Sequence, residues 1–337
     1  MDGERSSLPR RQRWRVALLL VVLAVGCSAA RPRPAQTMAP ESMPWTSTFH
    51  RDLPLVGQIW QPSRATSIPE PTLFAALAQA DYVLLGEQHD NFDHHRLQAK
   101  VILALVEAGK KPSVALEMLE PDDDDVIARY RANSQSTANG LGPQLDWEKR
   151  GWPAWAAYLP IAQVVFDADL PLLSANLPRA VVRAVAHQGK EALSPELAAR
   201  LGLDQPLAPG LEESLEEELR SSHCGQLPET MIGSMALAQR ARDGQMALRL
   251  LRSVTPVTLV AGAGHVRTDR GVPARIHAQE PSARVVSVAF VEVDPRRASP
   301  GDYASRFGVT ILPFDFVWFT PRANDDGDPC ERFPRIH

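Results

Sequence analysis

The sequence predicts an α/β fold in which helices flank a central, mostly parallel sheet, with a helical insertion in the second half of the chain. Short apolar runs bounded by glycine or polar residues are typical of buried strands, and residues 82–85, 113–118 and 257–261 are such runs. Apolar residues recur with helical spacing over residues 92–108. Strands that alternate with helices in this way indicate a parallel sheet covered by helices.

Length and composition agree with a globular protein. The 337 residues can form one large or two small domains, and 44% hydrophobic and 23% charged residues are ordinary values. The formal net charge of −4 gives no long-range attraction to nucleic acid, so no nucleic-acid partner is expected.

Residues 1–27 have the features of a lipoprotein signal peptide. A basic segment with four arginines precedes residues 16–25, an apolar run too short to span a membrane. The run leads to Cys27 in a sequence that resembles a bacterial lipobox, although Ala24 replaces the usual Leu; a plain secretory signal is the alternative. Lipidation of Cys27 would anchor the protein in the cell envelope. Ser28 is not the Asp that retains lipoproteins at the inner membrane, so we expect the outer membrane, facing the periplasm or the cell surface.

The remaining chain divides by composition. A proline-rich tether is predicted at residues 28–48 and a polar tail at residues 321–337. Between them, residues 49–320 are predicted to form an α/β domain, with an acidic helical insertion at residues 190–225. Residues 56–60 are predicted to form an edge strand or a lid, and residues 314–319 an aromatic edge strand. Cys224 and Cys330 would pair if the compartment is oxidising.

Two Gly-x-x-His sequences follow predicted strands. Gly86 and His89 follow the first run, and Gly262 and His265 follow the last. The run 113–118 also closes on a carboxylate, Glu117. Ligands of open α/β sheets bind at the carboxyl ends of the strands, so we expect His89, Glu117 and His265 to converge in one pocket.

Further polar residues lie next to these strand ends. Glu87 precedes His89, and His94, His95 and Arg96 fall in the first turn of the following helix. The strand 170–174 leads in the same way to two polar residues, Asn176 and Arg179.

The stretches LLGEQHDNFDHHRLQ, ALEM, AGAGHVR and HCGQLPE, followed by QRARDGQMA, resemble the ChaN-like family of haem-binding lipoproteins. That family is similar to the Tiki proteases and erythromycin esterases, which share paired Gly-x-x-His motifs and a Glu. The resemblance extends over residues 49–290, most of the predicted mature chain.

This resemblance implies a protein of haem and iron uptake, working as a homodimer that holds two haems face to face. It also implies that a Tyr holds the iron and a His from the partner assists. Tyr158 is the first choice among four tyrosines, because it shares a predicted helical face with Trp152 and Trp155, which offer flat surfaces to a porphyrin. The haem-binding residues expected are Tyr158, His89, His94, His95, Arg96, Asn176, Arg179 and His265.

Two alternatives remain open at this stage. The first is a metal-dependent esterase or peptidase in which His89, Glu117 and His265 hold Zn²⁺ or Mn²⁺ and activate water. Without metal, His89 would be the general base, oriented by Glu87 or Glu117. The second alternative is a tethered binding protein in which the histidines are remnants of an enzyme.

Overall fold

The structure is a computed structural model that describes residues 44–325. The predicted signal peptide with Cys27, most of the tether, the end of the polar tail and Cys330 therefore lie outside the described residues. No helix among residues 44–325 is long and apolar enough to cross a membrane.

Within the described part, eight strands form one sheet. They are β1 (Ile59–Gln61), β2 (Thr66–Ile68), β3 (Tyr82–Glu87), β4 (Ser113–Leu116), β5 (Leu172–Ser174), β6 (Val257–Gly262), β7 (Val285–Glu292) and β8 (Phe316–Thr320). The strand order is β2-β1-β8-β7-β3-β6-β4-β5. All pairings from β8 to β5 are parallel, and β1 and β2 are antiparallel at one side. The predicted α/β fold with a mostly parallel sheet is thus confirmed.

Helices fill the connections between the parallel strands. The α-helices are α1 (Glu70–Leu77), α2 (Phe92–Glu107), α3 (Asp123–Arg131), α4 (Ala138–Gln144), α5 (Trp155–Asp167), α6 (Arg179–Gln188), α7 (Pro195–Arg200), α8 (Leu211–Ser222), α9 (Glu229–Leu251) and α10 (Val272–Gln279). Short 3₁₀ segments cover Pro62–Arg64, Trp147–Lys149, Gly189–Ala192, Ala263–Val266 and Pro300–Phe307. Helix α2 packs on α5, and α9 packs on α6, α8 and α10. The predicted insertion contains α7 and α8.

The two predicted edge strands occupy other positions. Strand β8 lies between β7 and β1, and β1 is itself covered by β2, which forms the edge. All five residues of β8 are buried, as its interior place requires. The edge predictions were wrong because a local apolar pattern shows that a strand is buried but not which strands pair with it.

Strand register sets the position of the site. All six residues of β3 are buried, as expected for a central parallel strand. Glu87 at its end lies opposite Gly262 of β6, and Leu116 of β4 lies opposite Val260. Parallel strands point the same way, so the residues that end β3, β4 and β6 meet at one border of the sheet, here called the carboxyl edge.

Candidate functional site

The loop between β3 and α2 is fixed by Asn91. Its side-chain oxygen accepts hydrogen bonds from the backbone amides of Asp93 and His94, which caps the first turn of α2. Its side-chain nitrogen donates to Glu292 at the end of β7. The loop that carries His89 is therefore held between a helix N-terminus and a neighbouring strand.

Glu87 is the centre of the first cluster at the carboxyl edge. Oε1 of this buried carboxylate lies 2.8 Å from His89 Nδ1 and accepts the Tyr158 hydroxyl at 2.9 Å. His95 Nε2 lies 3.3 Å from Oε2, within ion-pair distance but not aligned for a hydrogen bond. Burial raises the pKa of Glu87, but His95 and His89 outweigh burial and hold this pKa well below its usual value. Glu87 is therefore ionised and can only accept, so Nδ1 of His89 carries a hydrogen.

Glu117 is the centre of the second cluster. The backbone amide of Gly262 donates to Oε2 at 2.6 Å, and Arg242 of α9 bonds to Oε1. His265 Nε2 lies 3.5 Å from Oε1, while its Nδ1 lies 2.6 Å from Asp243 Oδ1. Burial raises the pKa of Glu117, but the charges of His265 and Arg242 hold it well below its usual value. This cluster is a closed network of opposite charges.

The two clusters adjoin at Gly262. A Cβ atom on this glycine would lie 3.2 Å from His89 Nε2 and 3.6 Å from Glu117 Oε2. The structure thus brings His89, Glu117 and His265 to the same carboxyl edge, as the two Gly-x-x-His sequences suggested.

His89 is the most accessible member of this group. Its side chain is 34% exposed, whereas those of Glu87, His95, Glu117 and His265 are 4% exposed or less. Trp152 meets its ring edge-on at a centroid distance of 5.0 Å. Within residues 44–325, Nε2 of His89 has no hydrogen-bond partner. Burial lowers the pKa of His89, but the Glu87 hydrogen bond and the charge of Glu117 outweigh it and raise the pKa to about 9.

His94 lies outside the site, although it was expected to bind the cofactor. It is fully buried, its Nδ1 accepts the backbone amide of Gln88 at 2.9 Å, and its Nε2 lies 2.8 Å from Thr320 Oγ1. Both ring nitrogens are used to join the β3–α2 loop to β8. His94 is a structural residue because neither nitrogen is available to a ligand.

Arg96 is also engaged elsewhere. Its guanidinium donates to the carbonyl of Pro44, the hydroxyl of Thr46 and the carboxylate of Asp93. Arg96 therefore fixes residues 44–46, at the start of the domain, against α2.

The polar residues after β5 have separate positions. Asn176 is buried; it donates to the Glu117 carbonyl at 2.9 Å and accepts from Arg242 Nε at 3.2 Å, so it belongs to the Glu117 cluster. Arg179 is exposed at the start of α6, where its backbone amide donates to Glu120.

The environment of Tyr158 argues against its expected role as iron ligand. Its side chain is fully buried, stacks on His95 at 4.2 Å between ring centroids, and donates its hydroxyl hydrogen to Glu87. Burial and the charge of Glu87 raise the pKa of Tyr158 far above its ordinary value. The expected helical face is also incomplete, because α5 begins at Trp155 and Trp152 precedes it.

The arrangement does not form the alternative metal site. No group of three or more His, Cys, Asp or Glu side chains in the described part of the chain is arranged to hold a metal ion. Arg242 occupies the carboxylate oxygen of Glu117 that His265 faces, so a cation there would have to displace a guanidinium.

The site also contains Arg242, Asp243 and Gln239 of α9, which were not among the residues expected from the sequence. Gln239 Nε2 lies 3.1 Å from His265 Nε2. These three residues of α9 are spaced by three and four positions, which places them on one helical face. That spacing is the signal that could have identified them.

The family model described as haem-binding uptake, Tiki superfamily, ChaN matches residues 73–276, more than half of the chain. A ChaN structure from Campylobacter jejuni, described as binding haem cofacially, is 25% identical with a TM-score of 0.61, and the match covers 77% of this chain and 95% of that one.

Two further matches are a curated protein and a solved structure. The chloroplastic protein RETICULATA-RELATED 5 of Arabidopsis thaliana is 26% identical over 280 residues, which cover 76% of this chain and 35% of that protein. This chain thus spans about a third of the length of that curated relative. An erythromycin esterase structure is 16% identical with a TM-score of 0.39, covering 77% of this chain and 81% of that one.

Proposed function

The chain belongs to the haem-binding uptake family of the Tiki superfamily, the family of ChaN, and we propose that it binds haem at the carboxyl edge of its sheet. In this proposal haem is cargo, held by a protein of haem and iron uptake in the cell envelope. The similarity to the C. jejuni protein, nearly all of which is matched, supports haem as the ligand.

The observation that carries the proposal is the state of His89. Its Nδ1 is bound to the ionised carboxylate of Glu87, and its side chain is partly exposed. The raised pKa of His89 keeps both ring nitrogens protonated near neutral pH, and a protonated imidazole pairs with carboxylates such as the haem propionates. The residues present therefore fit the carboxylates of haem.

Apolar surface is also available beside His89. Trp152 contacts the imidazole, and Phe92, the first residue of α2, is 45% exposed. Trp152 is half-buried and Phe92 lies over His95, and aromatic side chains with accessible surface offer packing area to a flat hydrophobic ring. We place the porphyrin over these two residues.

The proposal includes a lipid anchor at Cys27, outer-membrane localisation and a homodimer. The basic segment, the short apolar run and the Cys at residue 27 support the anchor. The cofacial haem binding of the C. jejuni protein supports a dimer that brings two haems together.

Titration of the detergent-solubilised protein with ferric haem tests this function. We expect a saturable Soret shift at one haem per chain, with detergent micelles alone as the blank. Sedimentation before and after haem addition would measure the fraction of the protein that is dimeric. A Soret band that follows the micelle blank at every haem concentration would refute haem binding.

A further inference from the structure

We propose that the carboxyl edge of the sheet faces the phospholipid bilayer that holds the lipid anchor, and that Phe49 and Phe92 contact the surface of that bilayer. The inference rests on the proposed function, because it takes the anchor at Cys27 as its premise. It is carried by the place at which the chain enters the domain and by the apolar side chains that are exposed there.

The start of the domain is bound to the first turn of α2. The backbone amides of Thr46 and Ser47 donate to the two carboxylate oxygens of Asp93 at 2.8 and 2.9 Å. Arg96 donates to the carbonyl of Pro44 at 2.7 Å. Helix α2 begins just after the end of β3, so its first turn lies at the carboxyl edge.

A second set of contacts gives the same position. The hydroxyl of Ser47 donates to the carbonyl of Arg322, and the backbone amide of Arg322 donates to the carbonyl of Phe49 at 3.1 Å. Arg322 follows the end of β8, which runs parallel to β7 and therefore ends at the same border of the sheet. Contacts with two separate elements thus place the entry of the chain at the carboxyl edge.

The length of the tether favours one orientation of the domain. Residues 28–43, sixteen in all, separate Cys27 from the described part of the chain. Even a fully extended chain of this length spans no more than roughly 55 Å. A compact domain of this size is itself about 50 Å across. The opposite border of the sheet could therefore touch the bilayer only with the tether near full extension, whereas the carboxyl edge is held close to it.

Two exposed aromatic side chains lie beside the entry point. Phe49 follows Ser47 by two positions and is 38% exposed, and Phe92 directly precedes Asp93 and is 45% exposed. Phenylalanines on a protein surface bind the boundary between lipid headgroups and acyl chains. Val254 is 84% exposed but precedes β6, at the opposite border of the sheet, so it provides a matched control.

This orientation would let the protein exchange haem directly with the bilayer. Haem has a large flat apolar surface, so it partitions from water into lipid. A haem site at an edge that faces the bilayer would receive haem from the lipid without passage through bulk water.

The test is lipid photolabelling of the full-length protein. Lipidated wild type is reconstituted in vesicles of phosphatidylethanolamine and phosphatidylglycerol that contain a phospholipid with a diazirine near its headgroup. After illumination, mass spectrometry identifies the labelled peptides. We expect label on the peptides that contain Phe49 and Phe92, and none on the peptide that contains Val254. Phe49→Asp should lower the labelling of both carboxyl-edge peptides several-fold, and Val254→Asp should leave it unchanged.

The outcomes separate this orientation from the anchor and from haem binding. Label at Val254, or equal label at both borders, would overturn the orientation and leave the anchor intact. Unlabelled phenylalanines in a protein that sediments as a dimer would mean that a second copy covers them, which also overturns lipid contact. Wild type that does not remain with the vesicles would refute the anchor and this inference together. The haem titration is made in detergent, so its failure would refute haem binding without changing the labelling pattern.

Discussion

The Tyr158 hydroxyl lies 2.9 Å from Glu87 Oε1, the carboxylate oxygen that His89 Nδ1 also meets at 2.8 Å. Tyr158 and Glu87 are 71 positions apart, so this hydrogen bond joins α5 to the end of the central strand. One carboxylate oxygen thus connects a buried phenol to a partly exposed imidazole. The contact explains why a tyrosine is present at this edge without being exposed to a ligand.

We expect Tyr158→Phe to lower the free energy of unfolding by about 1.5–3 kcal/mol, because the lost hydrogen bond has a charged acceptor. Urea denaturation measures the change. Tyr130→Phe is the matched control: its hydroxyl bonds to the Thr137 backbone at a partly exposed position, so about 0.5–1.5 kcal/mol is expected. Equal losses in the two variants would contradict a special role for the Glu87 contact.

Gly262→Ala should weaken haem binding about tenfold, equivalent to ~1.4 kcal/mol, because the new Cβ would crowd His89 Nε2 at 3.2 Å. The backbone at Gly262 has φ of −59°, which alanine adopts freely, so folding should change little. Haem titration and a thermal melt measure the two effects. Gly301→Ala is the control, since its Cβ would meet its nearest neighbour, Ser299 Oγ, at 4.0 Å. Unchanged haem affinity in Gly262→Ala would place the haem away from His89.

Arg242→Gln should destabilise the fold by about 3–5 kcal/mol, because it removes the guanidinium that is paired with the buried Glu117 carboxylate. The double variant Glu117→Gln with Arg242→Gln removes both charges and should be more stable than the single variant. Urea denaturation of the two single variants and the double variant gives the coupling energy. If the loss of unfolding free energy in the double variant equals the sum of the losses in the two single variants, the two residues do not interact.

His94 should make the fold sensitive to acid. Burial lowers its pKa from 6.5 to about 3, so below pH 6.5 the unfolded chain binds a proton that the folded protein excludes. The contribution of neutral His94 to the free energy of unfolding is fully present above pH 6.5 and is lost as the pH falls towards 3. Between pH 7 and pH 5 the loss is about 2 kcal/mol, at 1.36 kcal/mol per pKa unit.

His94→Asn isolates this effect, because asparagine keeps an acceptor for the Gln88 amide but does not titrate. We expect the variant to have a lower free energy of unfolding than the wild type at pH 7. At pH 5 this difference should be smaller by about 2 kcal/mol. Urea midpoints at the two pH values measure it. A difference that stays constant with pH would show that His94 does not exclude the proton.

Cys27→Ser should release the protein from membranes and abolish incorporation of labelled palmitate. The physical reason is that each buried CH₂ of an acyl chain contributes about 0.8 kcal/mol to membrane binding. Membrane fractionation of wild type and variant measures the distribution, with Cys224→Ser as a control that should stay bound. Wild-type protein that takes up no palmitate, together with a variant that remains on membranes, would support the plain secretory signal.

The sequence alone determined the class of fold and the border of the sheet at which function lies. Apolar runs such as 82–85 and 257–261 identify buried strands because burial on both faces excludes polar side chains. Parallel strands end on the same side, so two Gly-x-x-His sequences 176 positions apart could be placed together before any coordinates. These properties depend on short segments, so they can be predicted from the sequence.

Only the tertiary structure decided which neighbours each polar group meets. Arg242 lies 125 positions from its partner Glu117, and His94, adjacent to His95 in sequence, turns to Thr320 on β8 and away from the site. Tyr158 was the first choice of iron ligand in the sequence and His89 a further haem-binding candidate, but in the structure Tyr158 is buried and His89 is partly exposed. Strands pair through backbone hydrogen bonds, which do not depend on the side chains. The pairing then determines which charged side chains are brought together inside the protein. The roles of these residues therefore follow from long-range packing, which local patterns do not contain.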